Sequence, residues 1–278
     1  MQYHAKLPEN NSNVSSEHPL KEFIILLLGS AAVALIIYWA LGLFIDIAVD
    51  TISPEMEIAI YEAIAEEGSD TVLGDDRERS DKEVLAQNLV SQLSQCVAIP
   101  YPIKLTLLDS EIPNAFAAPG GEMVMLSGLL TRVQSENGLA FVLAHELAHF
   151  KNRDHLRGLG RGVVLMALSV LTTGNSGLSR LMAPVSSLEA AQFSQSRERA
   201  ADAAALDIIN CHYGHISGAT EFFKTLAKAS DSLPLMHYFS SHPEAKQRIA
   251  AINTLGDQKG YQQGKVNQVG WIKATDDN

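Results

Sequence analysis

The sequence predicts an α+β fold, mostly helical with a small antiparallel sheet, preceded by one transmembrane helix. Three observations carry that expectation: an uncharged apolar run from Phe23 to Ile45, a series of segments with helical apolar spacing, and two short stretches of strand character between them. The 278 residues suffice for one sizeable core plus appendages. A net charge of −11 argues against a nucleic-acid partner, because phosphate contacts need clustered Lys and Arg. The acidic residues gathered between Glu55 and Glu83 read as solvated helix faces.

Residues 1–22 are polar, rich in Asn, Ser and Glu, and read as a disordered tail. Residues 23–45, FIILLLGSAAVALIIYWALGLFI, match the roughly 20 residues that cross a bilayer, with Tyr38 and Trp39 toward the far end as interfacial aromatics. A cleaved signal peptide is the rival. The long polar leader, an apolar run beyond the usual length of about 7–15 residues, and the lack of an A-x-A site favour a retained anchor in the lipid bilayer. Lys6 and Lys21 precede the run, whereas Asp46, Asp50, Glu55, Glu57 and Glu62 follow it. The positive-inside rule then leaves the leader in the cytoplasm and predicts a single-pass cell (inner) membrane protein whose main domain, residues 46–255, is extracytoplasmic or periplasmic. Residues 256–278 read as a polar, loosely ordered tail. Cys96 and Cys211 are compatible with one disulfide or with two buried thiols.

Within the main domain, Ser53-Pro54 opens a helix with a plausible N-cap and Pro at its first position, ending near Gly68. Ser80 to Glu83 has the spacing of a capping box, and Leu85, Leu89 and Leu93 line one face of the helix that follows. Ile103, Leu105 and Leu107 alternate with Lys104 and Thr106, which predicts a strand. The stretch AFAAPGGEMVML, 115–126, reads as a hairpin around Pro-Gly-Gly-Glu. A helix starts near Ser135. The apolar run 163–170 is short for a membrane span, residues 172–187 read as a loop, and further helices are expected from Leu188 to Ile209, from Ser217, and from Pro243 to Ile252.

The chemistry gathers in FVLAHELAHFKNRDH, 141–155. His145 and His149 lie four residues apart and project from one helix face about one turn apart, so both imidazoles can reach one zinc ion. Glu146, beside the first histidine, has the general-base position of H-E-x-x-H peptidases. Leu139, Val142, Leu143, Leu147 and Phe150 supply the apolar face such a helix needs. A catalytic zinc takes a third protein ligand. His155 competes for that role, provided the chain leaves the helix at Asn152 with positive φ. Glu198 is the alternative, one turn before Asp202 on an otherwise Ala-, Leu- and Ile-rich helix where an inward carboxylate needs a partner. Asp202 on the same face can hold the outer N–H of a ligand histidine.

HELAH, then ERAAD at 198–202, resembles the membrane-linked zinc metallopeptidase family that includes HtpX and the CAAX prenyl protease. NAFA-x-PGG from Asn114, LSGLL from Leu126, Asn152 with Asp154, and Ser241-His242-Pro243 with Arg248-Ile249 are similar to further motifs of that family, in the same order. The resemblance spans 80–252 and implies a zincin-like domain of gluzincin type. It implies one Zn2+ per chain, held by His145, His149 and Glu198, with Glu146 and His242 as catalytic residues and His242 donating to the oxyanion. Asn114, Ala115 and Phe116 then belong to an edge strand that receives an unfolded or extended polypeptide substrate. A single-anchor member of this kind is expected to act in quality control of misfolded membrane or envelope proteins. The contrasting expectation is a metal-stabilised, chaperone-like binding module with little turnover.

Overall fold

The computed structural model describes residues 19–67, 80–161, 195–228 and 245–268. The chain divides into two compact units, residues 1–47 and 48–278. In the first, helix α1 (Pro19–Thr51) extends the predicted apolar run at both ends, and its Phe23, Leu26, Leu28, Leu35, Ile36 and Trp39 side chains all face outward. It is long and apolar enough to cross a membrane. A helix apolar on every side and exposed throughout residues 20–40 suits lipid rather than water.

The second unit opens with α2 (Pro54–Glu67), where the Ser53 hydroxyl accepts a hydrogen bond from the Met56 N–H. Helix α3 (Asp81–Leu93) starts at the N-cap Ser80, whose side chain accepts from the Glu83 N–H. Its buried face is Ala86, Leu89, Val90 and Leu93, while Leu85 turns outward at 42% exposure. The expected Leu85–Leu89–Leu93 stripe is therefore displaced, because Leu85 falls on the edge of the arc that meets the sheet. Strands β1 (Lys104–Leu108), β2 (Ala115–Ala118) and β3 (Glu122–Leu126) follow, the last two joined by a turn over Pro119–Gly121. Gly120 and Gly121 stand at φ 76° and 83°, a region glycine enters without a Cβ clash.

The sheet has the order β1-β3-β2. β2 and β3 pair antiparallel as the hairpin predicts, but β1 pairs with β3 in parallel. The sheet is thus mixed rather than antiparallel: residues 109–114 carry the chain past the position next to β1, β2 takes the far side, and β3 returns between them. β2 is an edge strand. The Asn114 carbonyl accepts from the Leu126 N–H at 2.9 Å, so by the alternation of antiparallel ladders the backbone groups of Ala115 and Ala117 point away from β3, although both residues are buried, at 1% and 4% exposure.

After a short α4 (Ser127–Leu130), helix α5 (Glu136–Asn152) begins at the N-cap Ser135, which accepts from the Gly138 N–H at 3.0 Å. Residues 154–161 are again helical, followed by α6 (Gln195–Tyr213), α7 (Glu221–Lys228) and α8 (Ala245–Lys259). One core contains Phe141, Leu143, Phe222, Phe223, Leu206 and Met125, with α5 at its centre. Cys96 and Cys211 form a disulfide across 115 residues, tying the turn after α3 to the end of α6. Residues 256–268 are not the loose tail expected. α8 runs on to Lys259, the Gln262 carbonyl accepts from the Ile216 N–H, and the Asn267 N–H donates to Asn137 Oδ1. The apolar run 163–170 and the loop 172–187 lie outside the described residues.

Candidate metal centre

Helix α5 is buried from Asn137 to Phe150, which is why its apolar positions run on every face and its few polar groups need internal partners. His145, Glu146 and His149 are all at most 3% exposed. α6 packs along α5, and Ala201 and Ala205 of α6 and Ala144 and Ala148 of α5 are all fully buried. Small side chains at these positions let the axes approach, so Glu198 reaches the α5 histidines. The carboxylate of Glu198 lies 3.5 Å from His145 Nε2 and 3.4 Å from His149 Nε2, and the two Nε2 atoms are 3.0 Å apart. One ligand atom from each of the three residues falls within 4.8 Å of the others.

Carboxylates also grip the far side of each imidazole. Asp202 Oδ1 sits 3.0 Å from His145 Nδ1, and Asp154 Oδ2 sits 3.0 Å from His149 Nδ1. If each carboxylate accepts the Nδ1 proton, both Nε2 lone pairs aim at the same point, beside a third anionic donor. That arrangement is repulsive unless positive charge lies between them. The protonation preferences agree. Burial opposes charge on His149, but its hydrogen bonds to Asp154 and Glu198 outweigh burial and push it up to about 10. Burial and Arg248 oppose charge on His145, yet Glu198 and Asp202 still raise it. Two desolvated imidazole nitrogens and a carboxylate oxygen converging on one point are a donor set that fits a divalent cation such as zinc.

Arg248 of α8 packs against the same groups, its Nη2 3.2 Å from His145 Nδ1 and 3.4 Å from His145 Nε2. Its Nη1 lies 2.8 Å from Glu198 Oε2, its Nη2 donates to Asp202 Oδ1 at 2.6 Å and its Nε to Asp202 Oδ2 at 2.9 Å. The guanidinium stacks 4.3 Å from the Phe223 ring centroid. Burial alone would raise the Asp202 carboxyl, but Arg248 and His145 hold it below the usual range. A solvated acidic stripe on α6 is excluded, since Glu198 and Asp202 are 2% and 4% exposed.

Of the residues named from sequence, the structure brings together His145, His149, Glu198 and Asp202, with Glu146 beside them on α5. His155 stands apart: its Nε2 is 2.7 Å from Glu57, and positive φ occurs at Arg153 (55°), not at Asn152. His155 is buried, at 1% exposure. Asn114, Ala115 and Phe116 lie at the start of β2, which packs on α5. His242 lies outside the described residues. Sequence reasoning gave no role to Asp154 or Arg248, although both sit inside motifs it had noted. An acid five residues after the second histidine, just past the helix end, was the available signal for Asp154.

Comparison with known proteins agrees with this geometry. The model of peptidase family M48 matches residues 80–255. The chain is 27% identical over 206 residues to a protein named protease HtpX homolog from Salinibacter ruber, covering 60% of this chain and 73% of that one. A second protease HtpX homolog, from Persephonella marina, is 32% identical over 148 residues, 45% of this chain and 51% of its own length. The mitochondrial metalloendopeptidase OMA1 of Schizosaccharomyces pombe is 30% identical over 156 residues, 54% of this chain and 45% of its own. The chain thus spans about half the length of the latter two relatives.

Proposed function

Because the chain belongs to peptidase family M48 and is a metalloprotease with a helix able to enter a membrane, we propose that it is a membrane-anchored zinc endopeptidase acting on extended polypeptides. The observation that carries this reading is the convergence of His145, His149 and Glu198 donor atoms within 4.8 Å, with Glu146 on the same helix. In this reading the three residues hold one zinc ion. When bound, zinc polarises the scissile carbonyl and acidifies a water. Glu146 accepts the proton of the attacking water and passes it to the leaving amine. Asp202 and Asp154 keep the Nδ1 protons of His145 and His149, so that the Nε2 lone pairs stay directed at the metal. His242 is assigned to the oxyanion on motif resemblance.

Substrate recognition in this reading uses the side of β2 that faces away from β3. The outward N–H and C=O groups of Ala115 and Ala117 pair with the backbone of an extended chain, which then adds a strand. Backbone pairing selects for unfolded segments rather than for one sequence, and that property supports quality control of misfolded membrane or envelope proteins. The Cys96–Cys211 disulfide supports placing residues 48–278 outside the cytoplasm, where disulfides persist, and the charge asymmetry around α1 points the same way.

The test is incubation of the full-length protein in detergent with unfolded casein, then with a chelator, then with zinc restored. Cleavage that the chelator stops and zinc recovers is the expected result. Casein that is bound but left intact under all three conditions favours the chaperone-like binding module instead.

A further inference from the structure

We propose that Glu57 is a positioning residue of the metal centre, acting through a buried junction that fixes the end of the ligand helix α5 against the end of the edge strand β2. The inference rests on the metal-centre reading above. It concerns a residue on α2, outside the span 80–255 that matches the family model.

Glu57 is 0% exposed, and its carboxylate gathers donors from three separate parts of the fold. Oε1 accepts from the Tyr101 hydroxyl at 2.7 Å and from the Gly120 N–H at 3.3 Å, and lies 2.7 Å from His155 Nε2. Oε2 accepts from Arg153 Nη2 at 2.9 Å. A fully buried carboxylate is costly unless its oxygens are satisfied and its charge matched, and here both conditions hold. Burial alone would raise its pKa, but His155, Tyr101 and Arg153 bring it down to about 2.

The junction's address in the fold is what gives it a role beyond stability. Arg153 and His155 flank Asp154, the residue that holds His149 Nδ1. Gly120 follows β2 across Pro119. One carboxylate therefore ties the segment that orients a ligand histidine to the turn that ends the strand proposed to receive substrate. The backbone at this point is not relaxed. Arg153, at φ 55°, is the one non-glycine residue with positive φ among the described residues, a left-handed conformation that a side chain with a Cβ disfavours. Its guanidinium offsets this by donating to the Val49 carbonyl at 3.0 Å and the Ile52 carbonyl at 2.6 Å as well as to Glu57. Residues 49–57 thus hold Arg153 in the conformation in which Asp154 meets His149.

The experiment uses the full-length chain in detergent, as wild type, Glu57→Gln and Arg153→Lys. Zinc affinity is measured by competition with a chromophoric chelator, and kcat and KM on a casein-derived peptide, all well below each protein's melting temperature. Wild type tests the metalloprotease reading itself: absence of zinc binding or of cleavage there sinks that reading and this inference together. With wild type active, the junction predicts zinc affinity about 10-fold or more weaker in Glu57→Gln, and a smaller loss of about 3-fold or more in Arg153→Lys, with kcat falling in both. Zinc affinity and kcat within about twofold of wild type, alongside a lower melting temperature, would mean that the junction is only a staple, and would overturn the proposal. Should Glu57→Gln fail to fold, Arg153→Lys decides alone by the same criterion, since it keeps the charge at a side chain that is 22% exposed.

Discussion

His149 takes its orienting carboxylate, Asp154, from five residues further along the chain, whereas His145 takes Asp202 from 57 residues away and the guanidinium behind it, Arg248, from 103. The first half of the metal centre is made by one helix and the turn that ends it. The second half exists only once α6 and α8 have packed onto α5. Helical spacing suffices to aim two imidazoles along one face, but nothing local supplies the third anion. The difference teaches which perturbations each half should feel: backbone geometry controls the near half, and tertiary packing and buried charge control the far half.

The largest effect should come from a residue of the near half that touches chemistry rather than metal. Glu146→Gln is expected to keep zinc at one per chain while kcat falls by about 1,000-fold or more, measured on a quenched peptide beside metal analysis. Full turnover in that variant would remove the general base from the account.

Next in size is the cross-link that belongs to the far half alone. Cys96–Cys211 closes a loop of 115 residues and pins the end of the helix that carries Glu198. Replacing Cys211 with Ser should lower the unfolding free energy by about 2–5 kcal/mol in urea titrations. An unchanged urea midpoint would break the claim that α6 depends on this constraint.

The comparison is sharpest between the two orienting carboxylates. Asp154→Asn and Asp202→Asn should each weaken zinc binding by about 10–100-fold. Asp202→Asn should be the worse of the two, because it also takes away the negative charge and one of the two acceptor oxygens that hold the Arg248 guanidinium, and leaves it drawing on Glu198. Equal losses would mean that Arg248 balances charge without shaping the site.

The same division explains what was legible in the sequence. The Ser80 and Ser135 caps, the α5 helix and its HELAH spacing, and the 115–126 hairpin depend on neighbours in the chain, and each stands where periodicity and turn chemistry put it. Residue pattern alone left Glu198 and His155 in competition; resemblance favoured Glu198, and packing shows why, since His155 is taken by Glu57. The parallel β1–β3 pair was missed because strand alternation says nothing of direction. Arg248 and Glu57 were missed because a charged residue on an amphipathic helix reads as solvated until the fold buries it, at 4% and 0% exposure here. The turn of residues 260–268 back onto Ile216 and Asn137 was hidden by a composition of Gly, Gln and Asn that looks the same in a tail and in a strap.

The central claim is that two imidazoles of α5 and the carboxylate of Glu198 jointly hold one divalent ion. Its most direct test is zinc content by mass spectrometry on the purified full-length protein beside its Glu198→Ala variant, both dialysed against the same metal-free buffer. The account predicts about one zinc per chain in wild type and a small fraction of that in the variant. Equal zinc in both, or none in wild type, would contradict it.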